Sequence, residues 1–389
     1  MSRPARAAAA LALTAAALVA GCGSAAPAAR GPAAWAPPGW APFLATSLVT
    51  RAGTWAVAVM GGSVAAHDNF WQLFVRPTGS EQWKLVTPPG TADNGGLVLA
   101  DGGAQSLITG LRPSQGLTFT PLTLTRDAGR AWSSAGPLDA ALANVPDALA
   151  AAPGSGTLLA LTADGTAELA APGYTRWSTL TSQRTLAATP AGRRCGLHTL
   201  TAAAFTAVGV PLLAGTCSHP GTAGIFAARN GTWQAAGPRL PAALAGQAIT
   251  VLRLTRAANR TVALLKAGSG PADSLLAAWS ADGGSHWALS PPLKLAGATL
   301  TSTACGPTGA AAIVLNGNKA QTIAGAGSAW QSLPALPAGT ATLAPEPAGG
   351  IDALAVHRTT LTVWQLAAGS TTWHTTQAIS VPIQFGSSS

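Results

Sequence analysis

An all-β chain, a seven-bladed β-propeller of four-stranded antiparallel blades, is what this sequence predicts, on three observations. Trp83, Trp132, Trp177, Trp233, Trp287, Trp330 and Trp373 recur at intervals of 49, 45, 56, 54, 43 and 43 residues. Each follows a turn containing Gly, Ser or Asn, and each lies downstream of a short small-residue apolar run. Helix signals are absent. Repeats of this length, each holding several short strands, have the period of a propeller blade.

The elements follow in chain order. Arg3 and Arg6 form a positive leader, Ala7 to Ala17 an apolar stretch, and Leu18, Val19, Ala20, Gly21 and Cys22 come directly after. This resembles the lipobox of bacterial lipoproteins, which implies cleavage after residue 21, a lipid on Cys22 and a cell-membrane anchor outside the cytoplasm. Residues 22–41 are rich in Pro and Ala and lack periodicity, so they read as a tether reaching roughly 60 Å at most. The propeller is expected over 42–385, with 386–389 as a tail. Within each blade a variable inner strand precedes the apolar run (WAVAVMG, SLITGL, TLLALTA, PLLAGTC, VALLKAG, AAAIVLNG, IDALAVH). Such runs, bounded by Gly, Ser or Pro, suit strands buried on both faces. A third strand such as TFTPLTLT or DSLLAAWS leads to the turn, and the tryptophan opens the fourth.

Two of these turns share a fuller pattern. Thr125, Asp127, Gly129 and Trp132 in TRDAGRAW match Ser280, Asp282, Gly284 and Trp287 in SADGGSHW. The carboxylate can accept from the turn's own N–H groups, the hydroxyl can add a bond, Gly takes a positive φ, and the indole is expected to cover the hairpin. Both copies resemble the Asp-box, or BNR repeat, of sialidase-like propellers. A sialidase also needs a tyrosine nucleophile paired with a glutamate, an aspartate acid/base and three arginines for the substrate carboxylate. This chain has one tyrosine, Tyr174, in the turn GYTRW. Its three glutamates (Glu81, Glu168, Glu346) show no evident partner, and FVRP at 74–77 departs from the family's Arg-Ile-Pro. The resemblance therefore implies architecture without the catalytic set, and the expectation is no enzyme.

Composition narrows the remaining classes. Hydrophobic residues at 48% supply a core, which excludes a disordered chain. The formal charge of +9 is spread thinly, Arg193–Arg194 being the only adjacent basic pair, so no nucleic-acid surface is expected. No HExxH, Gly-x-Ser-x-Gly, CxxC or phosphate loop occurs, and neither metal nor cofactor is expected. In an oxidising compartment Cys195 and Cys217, which flank the first strand of the fourth blade, can pair and leave Cys305 free. Candidate binding residues are His67, Asp68, Arg112, Arg193, Arg194 and His198, on loops expected to share one face. The long Ser182–Leu200 crossover is the most distinctive of these. The expected function is that of a monomeric, membrane-tethered, non-enzymatic binding or scaffolding lipoprotein whose partner is a protein or glycan, an anionic one fitting the mild basic bias. The alternatives are a glycan-active enzyme of sialidase or lyase type, signalled by an acidic cluster in the channel, and a sensor holding a small ligand there.

Overall fold

The computed structural model describes residues 42–62, 70–88, 97–103, 105–111, 118–270 and 272–382. The leader, Cys22, His67, Asp68, Arg112 and residues 383–389 lie outside the described residues. What is described is an all-β propeller. Its strands form consecutive antiparallel four-stranded meanders, here units 1 to 7, covering 43–85, 97–138, 149–182, 197–235, 249–289, 300–332 and 340–380. The apolar runs are the second strands, as at Trp55–Gly61 and Arg260–Ala267, and are buried nearly throughout. Flanked by strands on both edges and by neighbouring units on both faces, they have no solvent side on which polar residues could alternate.

The tryptophans mark the outer edge. Trp177 opens the strand Trp177–Ser182, Trp233 lies within Thr232–Ala235, and Trp83, Trp132, Trp287, Trp330 and Trp373 each immediately precede a fourth strand. Apolar clusters fill the wedges between successive units. One packs Trp55, Val57 and Phe74 of unit 1 against Leu354, Leu361 and Val363 of unit 7, which closes the ring. The inner strands neighbour one another around a central channel.

Three features depart from the sequence reading. First, the Ser182–Leu200 crossover is not a loop but two short helices, α1 (Gln183–Ala187) and α2 (Pro190–Cys195). Ser182 caps α1 by accepting from Thr185 N, and Thr189 caps α2 by accepting from Gly192 N, with Pro190 in the first turn and Gly196 in the left-handed conformation at the end. Second, units 4 and 5 are one nine-stranded sheet. The end of Pro211–Cys217 pairs with the start of Ile249–Ala257, Thr216 facing Thr250 and Cys217 facing Ile249.

Third, the Asp-box indoles do more than cover their own hairpins. Trp132 Nε1 donates to Val86 O in unit 1 at 2.7 Å, and Trp287 Nε1 to Ala236 O in unit 4 at 2.7 Å. The carbonyl lies just past the preceding unit's fourth strand in each case. Trp330 repeats the contact on Pro291 O at 3.1 Å without an Asp-box. The glycines fit the same joint: a Cβ on Gly129 would lie 2.5 Å from Val86 Cβ, and one on Gly284 would lie 2.9 Å from Ala236 O. Inside the turn, Asp127 Oδ1 accepts from Ala131 N, while Thr125 Oγ1 donates to Asp127 and accepts from Gly129 N. Asp282 Oδ1 likewise accepts from Ser285 N, His286 N and Ser280 Oγ, and its Oδ2 holds His286 Nδ1 at 2.5 Å. These bonds hold both carboxyls below their ordinary pKa: for Asp127 the Ala131 amide contributes most, for Asp282 that of His286.

Candidate binding face and central channel

Inner strands begin on the face where one unit crosses to the next, so their amino-terminal ends surround the wide mouth of the channel. That mouth is a cavity of about 580 Å³. Its wall carries Thr46, Ser47, Asn144, Thr301, Ser302, Thr303 and Thr342, with Arg253 the one charged residue among the described residues there. Among the described residues the wall carries no acidic cluster of the kind expected of a glycan-active enzyme. Several hydroxyls are engaged locally: Ser47 Oγ accepts from Trp55 Nε1 at 2.8 Å, and Ser302 Oγ donates to Thr342 Oγ1 at 3.3 Å.

Arg253 floors this mouth. Its Nε lies 2.9 Å from Asp147 Oδ2, its Nη2 2.8 Å from Asp147 Oδ1, and its Nη1 donates to Thr303 O at 2.9 Å. Asp147 Oδ2 also accepts from Leu254 N, and Asp147 O from Ala203 N. One buried ion pair thus ties units 3, 4, 5 and 6 across the axis. Burial opposes the guanidinium charge, but Asp147 outweighs it, and the Arg253 pKa sits above its ordinary value. Asp147 is therefore buried, with both carboxylate oxygens engaged. Arg253 was not singled out in the sequence, because its partner lies 106 residues away. Nearby, burial pushes the free Cys305 thiol up to about 12, which leaves it un-ionised at neutral pH.

The helical crossover sits beside this mouth on the same face. A disulfide joins Cys195, the last residue of α2, to Cys217 at the end of the unit 4 second strand. His219 Nδ1 contacts Arg194 O at 3.1 Å, and Ser218 Oγ donates to Gly196 O at 3.0 Å. Pinned in this way, α1 and α2 expose Arg184, Arg193 and Arg194, with His198 exposed just beyond. Arg193 donates to Ala188 O. The Arg184 and Arg194 guanidiniums have no hydrogen bond or ion pair among the described residues. Of the acidic groups on this face, Asp164 accepts from its own turn at Thr166 N, and Asp273 pairs with Lys266 at 2.6 Å. The structure thus brings Arg193, Arg194 and His198 together.

Tyr174 is buried, with φ 53°, in the turn before Trp177–Ser182, and burial raises its pKa. Glu346, without an evident partner in the sequence, is bonded by Arg76 Nη2 at 3.0 Å and by Gln365 Nε2 at 3.3 Å. Arg76, the arginine of FVRP, also ion-pairs with the wholly buried Asp352 and lies over the rings of Trp55 and Trp83. It latches unit 1 to unit 7.

Fold and geometry together define a β-propeller with a helical cap on its crossover face. Solved structures share the fold: a Lactobacillus plantarum protein matches with a TM-score of 0.51 at 9% identity over 88% of this chain and 97% of that one. The β-propeller domain of the Trilobed protease from Pyrococcus furiosus, described as having an open velcro topology, matches at 0.50 and 7% over 87% and 96%. YCF48 bound to a D1 peptide aligns at 0.41 and 13% over 78% and 88%. No protein-family model and no curated protein matches the chain.

Proposed function

We propose that this chain is a membrane-tethered extracytoplasmic propeller that acts without catalysis, binding a protein or glycan partner through its crossover face. The observation that carries the reading is the α1–α2 cap. It is fixed by a disulfide and by two capped helix starts, and it presents unpaired arginines while Asp147, Asp164 and Asp273 on the same face are used inside the fold. An arginine cluster on a rigid support suits an anionic partner, because little side-chain and loop ordering remains to be lost on binding. The buried Tyr174 and the occupied Asp127, Asp147 and Asp282 support a non-catalytic role. The tether reading rests on the leader and Cys22. Cross-linking in native membranes tests the binding face: the partners captured by the wild-type chain should be lost from Arg193→Glu/Arg194→Glu at unchanged melting temperature. Capture of the same partners by both would refute it.

A second reading is favoured by the wide mouth itself. A cavity of about 580 Å³ with a hydroxyl-rich wall is large enough for a small polar ligand, as a sensor would require. A Thr303→Val chain that retains the partners but loses response to such a ligand would support it.

A further inference from the structure

We propose that the opposite, narrow end of the central channel binds a small oxyanion, a carboxylate or phosphate group, at Arg256, with Arg51 as a neighbouring charge. Here the carboxy-terminal ends of the inner strands of units 1 to 5 converge on a cavity of about 50 Å³. Its lining is largely aliphatic and backbone, with Leu48, Leu99, Ala150 and Ala204 among its walls, and the Asp147 that pairs with Arg253 forms part of its lining. A space of this size holds a water or two, or one compact ion.

The charges at this end do not balance. Asp147 is consumed by Arg253. Asp101 accepts from Gly103 N through Oδ1 and from Arg51 N through Oδ2, both at 2.8 Å, and the Arg51 Nε lies 4.0 Å from Oδ2, beyond hydrogen-bonding distance. Arg256 lines the cavity beside Asp101, is half-buried, and its guanidinium makes no hydrogen bond or ion pair among the described residues. Arg51 is thus ion-paired to Asp101, each of whose oxygens already accepts a backbone N–H, and Arg256 is left without a counter-charge of its own. Burial first, and repulsion by Arg51 second, lower the Arg256 pKa, as expected of a cation lacking its counter-charge. A guanidinium offers five donors in a planar fork, a geometry that carboxylate and phosphate oxygens match. The small volume excludes bulky anions.

This site lies on the face opposite α1 and α2 and is independent of the binding proposed there. The full chain in detergent is titrated by calorimetry with inorganic phosphate and, separately, with acetate, at constant ionic strength in chloride. One-to-one saturable binding of at least one probe is expected, and comparison of the two arms identifies the oxyanion. Arg256→Gln should weaken it roughly tenfold to a hundredfold, the worth of a lost charge-assisted bond, and Arg51→Gln should weaken it less. Arg193→Glu should leave it unchanged. If Arg256→Gln does not fold, phosphate should instead protect Arg256 of the wild-type chain from phenylglyoxal. Saturation by neither probe, full binding by folded Arg256→Gln, or equal labelling of Arg256 with and without phosphate would each overturn the site.

Discussion

At the scale of single residues, the indole nitrogens separate several of the repeat tryptophans: Trp132, Trp287 and Trp330 reach a carbonyl of the preceding unit, whereas the buried Nε1 atoms of Trp83, Trp177 and Trp373 have no partner among the described residues. Trp132→Phe should therefore cost about 1 kcal/mol more than Trp373→Phe in denaturant unfolding, since only the first breaks a hydrogen bond and strands an acceptor. The Arg253–Asp147 pair should behave more sharply. Arg253→Met leaves a buried carboxylate unpaired and should cost about 3–5 kcal/mol, while adding Asp147→Leu should recover much of that loss. A double-mutant cycle showing simple additivity would contradict the bridge. None of these partnerships was legible in the sequence. Arg76 and Glu346 stand 270 residues apart, and no local pattern encodes which unit a side chain will face after the ring closes.

At the scale of elements, the strands were legible because each second strand is short, apolar and followed at regular distance by a turn and a tryptophan. The helices were not. Five and six residues are too few to show a 3.6-residue period, and only the brackets, Ser182 and then Thr189–Pro190 with Gly196, encode them. Their stability rests on the bond to Cys217. Reduction should make trypsin cleave after Arg193 and Arg194 much faster, and loss of this bridge, with a sequence separation of 22, should cost about 3 kcal/mol. The joint between units 1 and 7 should respond to pH. Asp352 and Glu346 share Arg76; burial, outweighing the Arg76 charge, raises the Asp352 pKa from 3.8 to about 7, and the neighbouring Glu346 adds to the rise. With the folded value above the unfolded one, this contribution is fully present below about pH 4 and lost as pH rises through about 7. Melting temperature should fall across that window, and Asp352→Asn should flatten the fall.

At the scale of the whole molecule, the sequence carried the propeller class and the direction of its units, while the sharing of a sheet by units 4 and 5 depends on only two residue pairs and leaves no sequence mark. Cellular address belongs to this scale too. Cys22→Ala should abolish labelling by a fatty-acid analogue and release the chain from membranes while its melting temperature stays unchanged, because the tether precedes the first described strand. Labelling that persists in Cys22→Ala would remove the lipid anchor from the proposal.

The fused sheet of units 4 and 5 makes the circle mechanically uneven. Thr201 Oγ1 donates to Val251 O at 2.6 Å and Arg229 Nη2 to Gly283 O at 2.5 Å, so backbone pairing and side chains weld this joint together. Units 1 and 7 lie in separate sheets, and side chains such as Gln72, which donates to Pro382 O at 3.3 Å, cross between them. Such a ring is stiffest at the weld, because every other joint, that between units 1 and 7 included, lies between separate sheets. Amide exchange should accordingly be slower around Thr216 and Thr250 than in the second strands Trp55–Gly61 and Ile351–His357, whose units no backbone pairing joins.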